Sequence, residues 1–236
     1  MARMQEMRRG MRWTLGVLCA GALAAALPAW AQTARQMEKQ AAKQPAKTIN
    51  LVTEATQNEW TRVAIPPTHP VSKVEQWHVD AKEHVIVCDG NGGHDWLRFD
   101  KEFSNFALHV EWRFTPIQGE TRYNSGVFFR NSQDGTIWHQ AQTTLDGGYV
   151  FGQTPMNGKL TSFNLQKQMK QNRVKAAGKW NTYEIRCVGK TCTLAVNGMV
   201  VNTVKVGVTR GYVGLESEGY QIEFRNVKVT ELGGKE

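Results

Sequence analysis

Residues 137–144, IWHQAQTT, carry two long amides at alternate positions. In a strand, side chains alternate between faces, so Trp138, Gln140 and Gln142 would share one face and His139 the other. An amide binds hydroxyl groups or metal ions but does not exchange a proton near neutral pH. The glutamines therefore predict a binding surface, and a general base has to come from another residue. His139 is a candidate base only if the strand bulges, and a core histidine is the plainer interpretation.

Charged candidates lie on neighbouring strand patterns. The apolar alternation of FALHVEWRF (106–114) turns Glu111 away from the core, and the parity of SGVFFR (125–130) puts Arg130 on the face of Gly126. Glu218 follows the pattern GYVGLES at a strand end. A carboxylate can act as a general base and an arginine can stabilise a developing anion. The alternative for Glu111 and Arg130 is a solvated or ion-paired sheet face.

The catalytic candidates are thus Glu111, Glu218, Arg130 and His139. The substrate-binding candidates are Asn124, Trp138, Gln140, Gln142 and Tyr149. Asn124 opens the pattern that contains Arg130, and Tyr149 lies in GYVFG, the segment that follows the two glutamines. Arg225 and Asn226, near the end of the last strand pattern, are more simply explained as residues that tie strands together.

Period-two patterning dominates the chain and predicts an all-β fold of two antiparallel sheets. The segments are FALHVEWRF, SGVFFR, IWHQAQTT, GYVFG, YEIRCV, TLAVNGMVV, GYVGLES and IEFRNVKV, separated by turns that contain Asn, Gly or Asp. Residues 160–177 lack strand character and predict a long loop or short helix. Phosphate-binding glycine loops, a G-x-S-x-G elbow and internal repeats are absent from the sequence.

The amino-terminal residues predict export. Four arginines in residues 1–12, an apolar run over 13–27 and the sequence Ala29-Trp30-Ala31 are typical of a secretory signal peptide cleaved after Ala31. The apolar run is short for a membrane span. We expect a signal peptide at 1–31, a polar and flexible tether at 32–56, one β-sandwich domain at 57–236, and a periplasmic or extracellular location.

Charge argues against nucleic-acid binding. The formal net charge of +8 includes +3 from residues 1–31 and +2 from residues 32–56, so only +3 remains for the folded part. A nucleic-acid-binding protein concentrates basic residues on its folded surface. We therefore expect no nucleic-acid partner, and no membrane span once the signal peptide is removed.

The cysteines predict a hairpin and leave its redox state open. In YEIRCVGKTCTLAVNG, a turn at Gly189-Lys190 sets Cys187 opposite Cys192 in a non-hydrogen-bonded pair, where a disulfide can form. Two buried thiols on the core face are the alternative. The apolar flank of Cys88 suggests burial, and no Cys/His set has zinc-site spacing.

Eight motifs in order resemble the 3-keto-disaccharide hydrolase family over residues 60–232. They are DG at 89–90, FALHVEWRF, NSGVFFR, a strand with a polar-x-Gln step, GKWNTYEIR, VNGMVV, GYVGLESEG and IEFRNVKV. The resemblance implies a concanavalin A-like, laminin-G-like jelly roll whose concave sheet meets a sugar, and an enzyme that acts on glycosides oxidised to a ketone at C3.

That chemistry requires few groups. A C3 ketone acidifies the C2 proton, so the C1 oxygen can leave by elimination and water can then add. One base near the C2 proton, and one cation or divalent metal ion at the enolate, suffice. Where the family commonly has Glu-x-Gln, this chain has Gln140-Ala141-Gln142. The resemblance implies cleavage of 3-keto-glycosides or 3-keto-disaccharides as the function. The amide at position 140 keeps an alternative open, a lectin-like carbohydrate-binding module that has lost the acid. No metal ligand is assigned from the sequence.

Overall fold

The computed structural model describes residues 47–233, which form two antiparallel sheets around one core. The strands are β1 (Lys47–Asn50), β2 (Trp60–Ala64), β3 (Trp77–Asp80), β4 (Val85–Cys88), β5 (Asp95–Phe99), β6 (Phe106–Phe114), β7 (Ser125–Asn131), β8 (Trp138–Thr143), β9 (Val150–Met156), β10 (Lys159–Asn164), β11 (Asn181–Val188), β12 (Thr191–Val196), β13 (Met199–Lys205), β14 (Tyr212–Ser217) and β15 (Ile222–Glu231). The first sheet has the order β13-β12-β11-β6-β15-β4-β3, with β1 also paired to β15. The second sheet has the order β10-β9-β8-β7-β14-β5-β2.

The predicted all-β fold with two antiparallel sheets is confirmed. Strand β6 shows the physical basis of the period-two pattern. Its alternate apolar side chains are buried, while Glu111 and its same-face neighbours are only half-buried. Trp112, at the centre of β6, packs edge-on against Tyr183 of β11, with ring centroids 5.3 Å apart. A buried aromatic side chain contributes roughly 1.5–3 kcal/mol through the hydrophobic effect. Such alternation fixes which face of the strand meets the core.

Two segments differ from the sequence prediction. Within residues 160–177, the chain forms most of the edge strand β10 and a short 3₁₀ helix, Gln166–Gln168. Most of β10 is exposed on both faces, so it carries no apolar alternation. Residues 47–50, placed in the predicted tether, form β1, and the next two, Leu51 and Val52, are fully buried. The folded unit therefore includes residue 47 rather than beginning at 57; residues 32–46 of the predicted tether lie outside the described residues.

The cysteine hairpin has the predicted pairing without a bridge. Cys187 of β11 lies opposite Cys192 of β12, as the turn at Gly189-Lys190 implied. All three cysteines of the described chain are buried free thiols, so the structure has the alternative of two thiols at Cys187 and Cys192 rather than the disulfide. Burial raises the pKa of the Cys187 thiol well above its ordinary value, with a further contribution from its hydrogen bond to Cys192. A buried thiol that stays protonated is a poor partner for thiol–disulfide exchange.

Within residues 47–233, no helix has the length and apolar character needed to cross a membrane. The predicted signal peptide lies outside the described residues.

Candidate functional site

A pocket of about 430 Å³ lies on the face of the second sheet that points away from the core. Because side chains alternate along each strand, one face of this sheet meets the core and the other face lines the pocket. On β8, Ala141 enters the core while Gln140 and Gln142 line the pocket, and on β14, Leu215 enters the core while Glu216 lines the pocket. Ala64, the last residue of β2, and residues 65–67 after it complete one wall. The volume suits a ligand of one or two rings.

Two glycines allow long side chains to lie flat across the pocket floor. A Cβ atom at Gly126 of β7 would lie 2.2 Å from Nε2 of Gln140, and one at Gly214 of β14 would lie 2.4 Å from Cε3 of Trp96. Gln140 therefore crosses β7 to reach Glu216 on β14. Trp96 crosses β14 and meets Phe128 edge-on, with ring centroids 5.4 Å apart. The side chain that approaches Gly126 is that of Gln140 from the neighbouring strand.

A chain of amides connects the pocket wall to a buried acid. The Gln142 amide donates to Oδ1 of Asn124, and Oε1 of Gln142 accepts a hydrogen bond of 3.0 Å from Nε2 of Gln140. The same Nε2 donates to Oε2 of Glu216 at 2.5 Å. Both protons of the Gln140 amide are thus committed within the protein. Gln140 is a positioning residue that fixes the Glu216 carboxylate.

Replacing Gly126 by alanine tests this arrangement. The backbone at Gly126 is not in the left-handed region, so the expected cost comes from the clash of the new Cβ with Gln140. We expect a loss of about 1.5–3 kcal/mol in the free energy of unfolding, the range for a hydrogen bond to a charged group, measured by urea denaturation. In a double-mutant cycle, Gly126→Ala should cost little once Gln140→Ala is present. An equal cost in both backgrounds would show that Gln140 is not what the glycine accommodates.

The acid end of the pocket contains His94, Glu216 and Glu218. Nε2 of His94 lies 3.0 Å from Oε1 of Glu216 and 4.0 Å from Oε2 of Glu218. The hydrogen bond to Glu216 raises the pKa of His94, and burial raises the pKa of Glu216. The pair consequently retains a proton to higher pH than an isolated histidine does. Glu218 is 38% exposed, and its partial burial raises its pKa as well.

The same three residues form a candidate metal set. One nitrogen of His94 and one oxygen from each of Glu216 and Glu218 lie within 4.8 Å of one another. One imidazole and two carboxylates suit a divalent ion such as Mn²⁺, Fe²⁺ or Zn²⁺. The donor chemistry therefore fits the divalent ion considered from the sequence.

Six of the nine sequence-predicted site residues line this pocket. They are Asn124, Trp138, Gln140, Gln142, Tyr149 and Glu218. These six side chains thus converge on one concavity of the second sheet. Glu111, Arg130 and His139 lie elsewhere.

Glu111 belongs to the other sheet. It is on the non-core face of β6, as its parity predicted, where Arg225 donates to Oε2 at 2.7 Å and Asn226 donates to Oε1 at 3.0 Å. Partial burial opposes ionisation, but these hydrogen bonds outweigh it and lower the pKa of Glu111. A carboxylate held this way is a weak base. The placement of Glu111 at a common site with the glutamines is therefore corrected.

The strand face predicted for Arg130 is wrong. At Arg130 the backbone takes φ of 53°, and the ladder between β7 and β14 shifts register nearby. The irregularity turns the fully buried side chain to the inside of the sandwich, and Asn131 takes the pocket face instead. The guanidinium donates to the backbone carbonyls of Ser104, Gly189 and Val208. Arg130 thus ties chain segments together.

His139 takes the core position that was its plainer interpretation. It is fully buried, and its Nδ1 lies 3.1 Å from the carbonyl oxygen of Phe129. Burial lowers the pKa of His139 to about 4. Because β8 does not bulge at this point, the imidazole points away from Gln140 and the pocket.

The sequence patterns gave no role to His94 or Trp96. His94 immediately precedes β5, and all five residues of β5 are buried, so that strand offers no alternation to mark its pocket face. Strand parity puts Glu216 on the same face as Tyr212 and Gly214. Its contact with Gln140 depends on β14 lying two strands from β8, which no local pattern encodes.

Fold and pocket together define a jelly-roll domain of the kind found in carbohydrate-binding modules and glycoside hydrolases. A family model described as the 3-keto-alpha-glucoside-1,2-lyase-like domain matches residues 39–230. The chain belongs to this family, in agreement with the resemblance of its motifs.

Solved structures share the fold at low sequence identity. A candidate glycosyl hydrolase from Parabacteroides distasonis ATCC 8503 is 17% identical, with a TM-score of 0.55 over 79% of this chain and 94% of that one. A carbohydrate-binding module from Bacillus subtilis is 18% identical, with a TM-score of 0.52 over 72% and 94%. A LamA variant from Z. galactanivorans, solved with laminaritriose and laminaritetraose, is 9% identical, with a TM-score of 0.55 over 78% and 98%. No curated protein matches the chain.

Proposed function

We propose that the protein cleaves 3-keto-glycosides by removing the C2 proton and eliminating the C1 substituent. The observation that carries the proposal is the acid end of the pocket, where the partly exposed side chains of Glu218 and His94 lie beside the buried carboxylate of Glu216. Membership in a 3-keto-alpha-glucoside-1,2-lyase-like family supports it. We also propose that the protein acts in the periplasm or outside the cell, on the strength of its amino-terminal sequence.

The reaction needs one base and one acid. Removal of the C2 proton leaves its electron pair to form an enolate with the C3 carbonyl. That pair then forms the C1–C2 double bond, and the C1–O bond breaks with its electrons on the departing oxygen, which takes up a proton. Water then adds across the C1–C2 double bond, which places a hydroxyl group on C1 and a hydrogen on C2. The net result is hydrolysis without two carboxylates flanking the anomeric centre.

Glu218 is the residue best suited to move the proton. Among the three acid-end residues, its carboxylate is the least constrained, and its raised pKa brings it nearer to the operating pH, where a general base is most effective. Once protonated by C2, Glu218 can return the same proton to the departing oxygen. The hydrogen bond to Glu216 raises the pKa of His94, which favours an imidazole that can donate a hydrogen bond to the C3 oxygen as charge develops there.

The amides hold these groups in place and bind the sugar. Gln140 fixes Glu216, and Gln142 fixes the oxygen of Asn124, so the amide N–H groups of Asn124 are directed to a ligand hydroxyl. A divalent ion at His94, Glu216 and Glu218 would supply Lewis-acid stabilisation of the enolate oxygen. In that arrangement Glu218 would act as a ligand.

Incubation of the exported protein with a 3-keto-glycoside in deuterated water tests the proposal. Elimination and hydration place deuterium at C2 of the released keto-sugar, beyond the exchange seen without protein, whereas direct hydrolysis at C1 places none. Loss of turnover with EDTA and its return with Mn²⁺ would show that a divalent ion is required, as expected if His94, Glu216 and Glu218 hold one. Sugar binding without turnover would instead favour the carbohydrate-binding module.

A further inference from the structure

The end of the pocket opposite the acids is an aromatic wall. It consists of Trp138 on β8, Phe151 on β9 and Tyr149 just before β9. Trp138 and Phe151 meet edge-on at 84°, with ring centroids 5.2 Å apart, and Tyr149 lies 5.7 Å from Phe151. All three rings are half-buried, whereas Trp96 and Phe128 in the floor are almost completely covered. The wall therefore presents ring surface to the cavity.

Strand order sets the distance between the aromatic wall and the acids. Phe151 on β9 and Glu216 on β14 are three strands apart in the second sheet. With neighbouring strands about 4.8 Å apart, the separation is about 14 Å. Gln140 occupies the interval, because it is paired with Phe151 on one side and bonded to Glu216 on the other. A sugar whose C2 proton faces Glu218 has room in this interval for a C1 substituent that reaches the aromatic wall.

The aromatic wall has few polar groups for a second sugar. The three side chains of the wall carry only two polar groups, the Tyr149 hydroxyl and the Trp138 indole N–H. A hexose at this position would have several hydroxyl groups to desolvate, and each unpaired polar group is costly. A flat aromatic group loses nothing of this kind and gains ring–ring contact in the edge-on or offset geometries that aromatic pairs favour.

We propose that the aromatic wall binds the leaving group, and that the preferred substrates carry an aromatic aglycone on C1. The identity of the leaving-group class rests on the proposed function, since only a cleaved glycoside has a leaving group. The preference of the aromatic wall for an aryl group is a property of binding alone. It can be measured with unoxidised glucosides, which lack the C3 ketone.

The test compares the affinities of phenyl, cyclohexyl and methyl glucosides, in both anomeric forms, by calorimetry. We expect phenyl to bind about tenfold or more tightly than methyl, with cyclohexyl between them, since aromatic contact adds to area burial. In Trp138→Leu the phenyl advantage should fall to about threefold or less. Trp180→Leu is the matched control, because Trp180 lies under Arg225 on the other sheet and its loss should leave the phenyl advantage intact. Phe151→Leu is a second variant should Trp138→Leu fail to fold.

Equal affinity for phenyl and methyl glucosides in the parent protein would overturn the proposal. So would tighter binding of a glucose disaccharide than of phenyl glucoside, or an unchanged phenyl advantage in both wall variants. Failure of the proposed function gives a different result: no 3-keto-glycoside is turned over, while the phenyl advantage and its dependence on Trp138 persist.

Discussion

Glu218→Gln is expected to lower kcat/KM for a 3-keto-glycoside by about 10²- to 10⁴-fold, the usual contribution of a positioned general base. The loss corresponds to about 3–5 kcal/mol of transition-state stabilisation. Glutamine keeps the shape of the side chain and removes its ability to take the C2 proton. Because Glu218 is 38% exposed, the free energy of unfolding should change little, and ligand affinity should also be largely retained.

The matched control is Glu111→Gln on the opposite sheet. Glu111 is a carboxylate on the non-core face of a strand, as the sequence patterns predicted. It lies on the first sheet, where it is paired with Arg225, whereas the pocket lies on the second sheet. Its replacement should leave kcat/KM unchanged and affect stability only. The dependence of kcat/KM on pH adds an independent measure: its acidic limb should lie above the ordinary range of a glutamate, as the raised pKa of Glu218 requires, and should vanish in Glu218→Gln. Equal losses in the two variants would remove Glu218 from the mechanism.

The contrast between Glu111 and Glu218 shows how far strand parity extends. Alternation in β6 correctly turned Glu111 away from the core, and in β14 it placed Glu216 on the face of Gly214. Parity assigns a side chain to the core or to the outside, but both sheets of a sandwich have an outside. Whether two outward-facing residues lie on the same sheet depends on the strand order. Strand β6 belongs to the first sheet and β14 to the second. A single sequence contains no local signal for that choice.

Arg130 shows a second limit of the strand pattern. A period of two holds only while the ladder is regular, and one residue with positive φ reverses the faces of everything beyond it. Arg130 is not glycine, so nothing in SGVFFR marks the change. The reversal is detectable only through the long-range contacts that the buried guanidinium makes with three backbone carbonyls.

The structural neighbours of Gln140 change the interpretation of its role. At a position where the family resemblance implied an acid, an amide raised doubt about catalysis. In the structure, Gln140 Nε2 lies 2.5 Å from a carboxylate oxygen of Glu216, so an acid is present but comes from a different strand. A glutamate at 140 would bring two carboxylates together, and one of them would have to remain protonated. An amide avoids that conflict and holds Glu216 by donating to it.

The stability of the fold is expected to fall between pH 6.5 and about pH 4 because of His139. Burial lowers the pKa of His139 in the folded protein to about 4, against an ordinary value of 6.5. Across this window His139 binds a proton in the unfolded chain but not in the folded chain, so the free energy of unfolding decreases as the pH falls. The difference in pKa corresponds to about 3 kcal/mol, from 1.36 kcal/mol for each pKa unit. Urea denaturation at a series of pH values measures it.

Other groups titrate in or near the same window, so the variant His139→Gln isolates the effect. The raised pKa values of His94 and His109 add stability that is complete below pH 6.5, while those of Glu216 and Glu218 make the folded state gain stability as the pH falls. These contributions are common to parent and variant. Subtracting the two curves should leave a parent-specific loss of about 3 kcal/mol by pH 4. His139→Phe, which fills the space beside Phe129 with a ring that cannot titrate, should give the same difference curve. A pH-independent difference between parent and both variants would mean that His139 accepts a proton as readily in the fold as outside it.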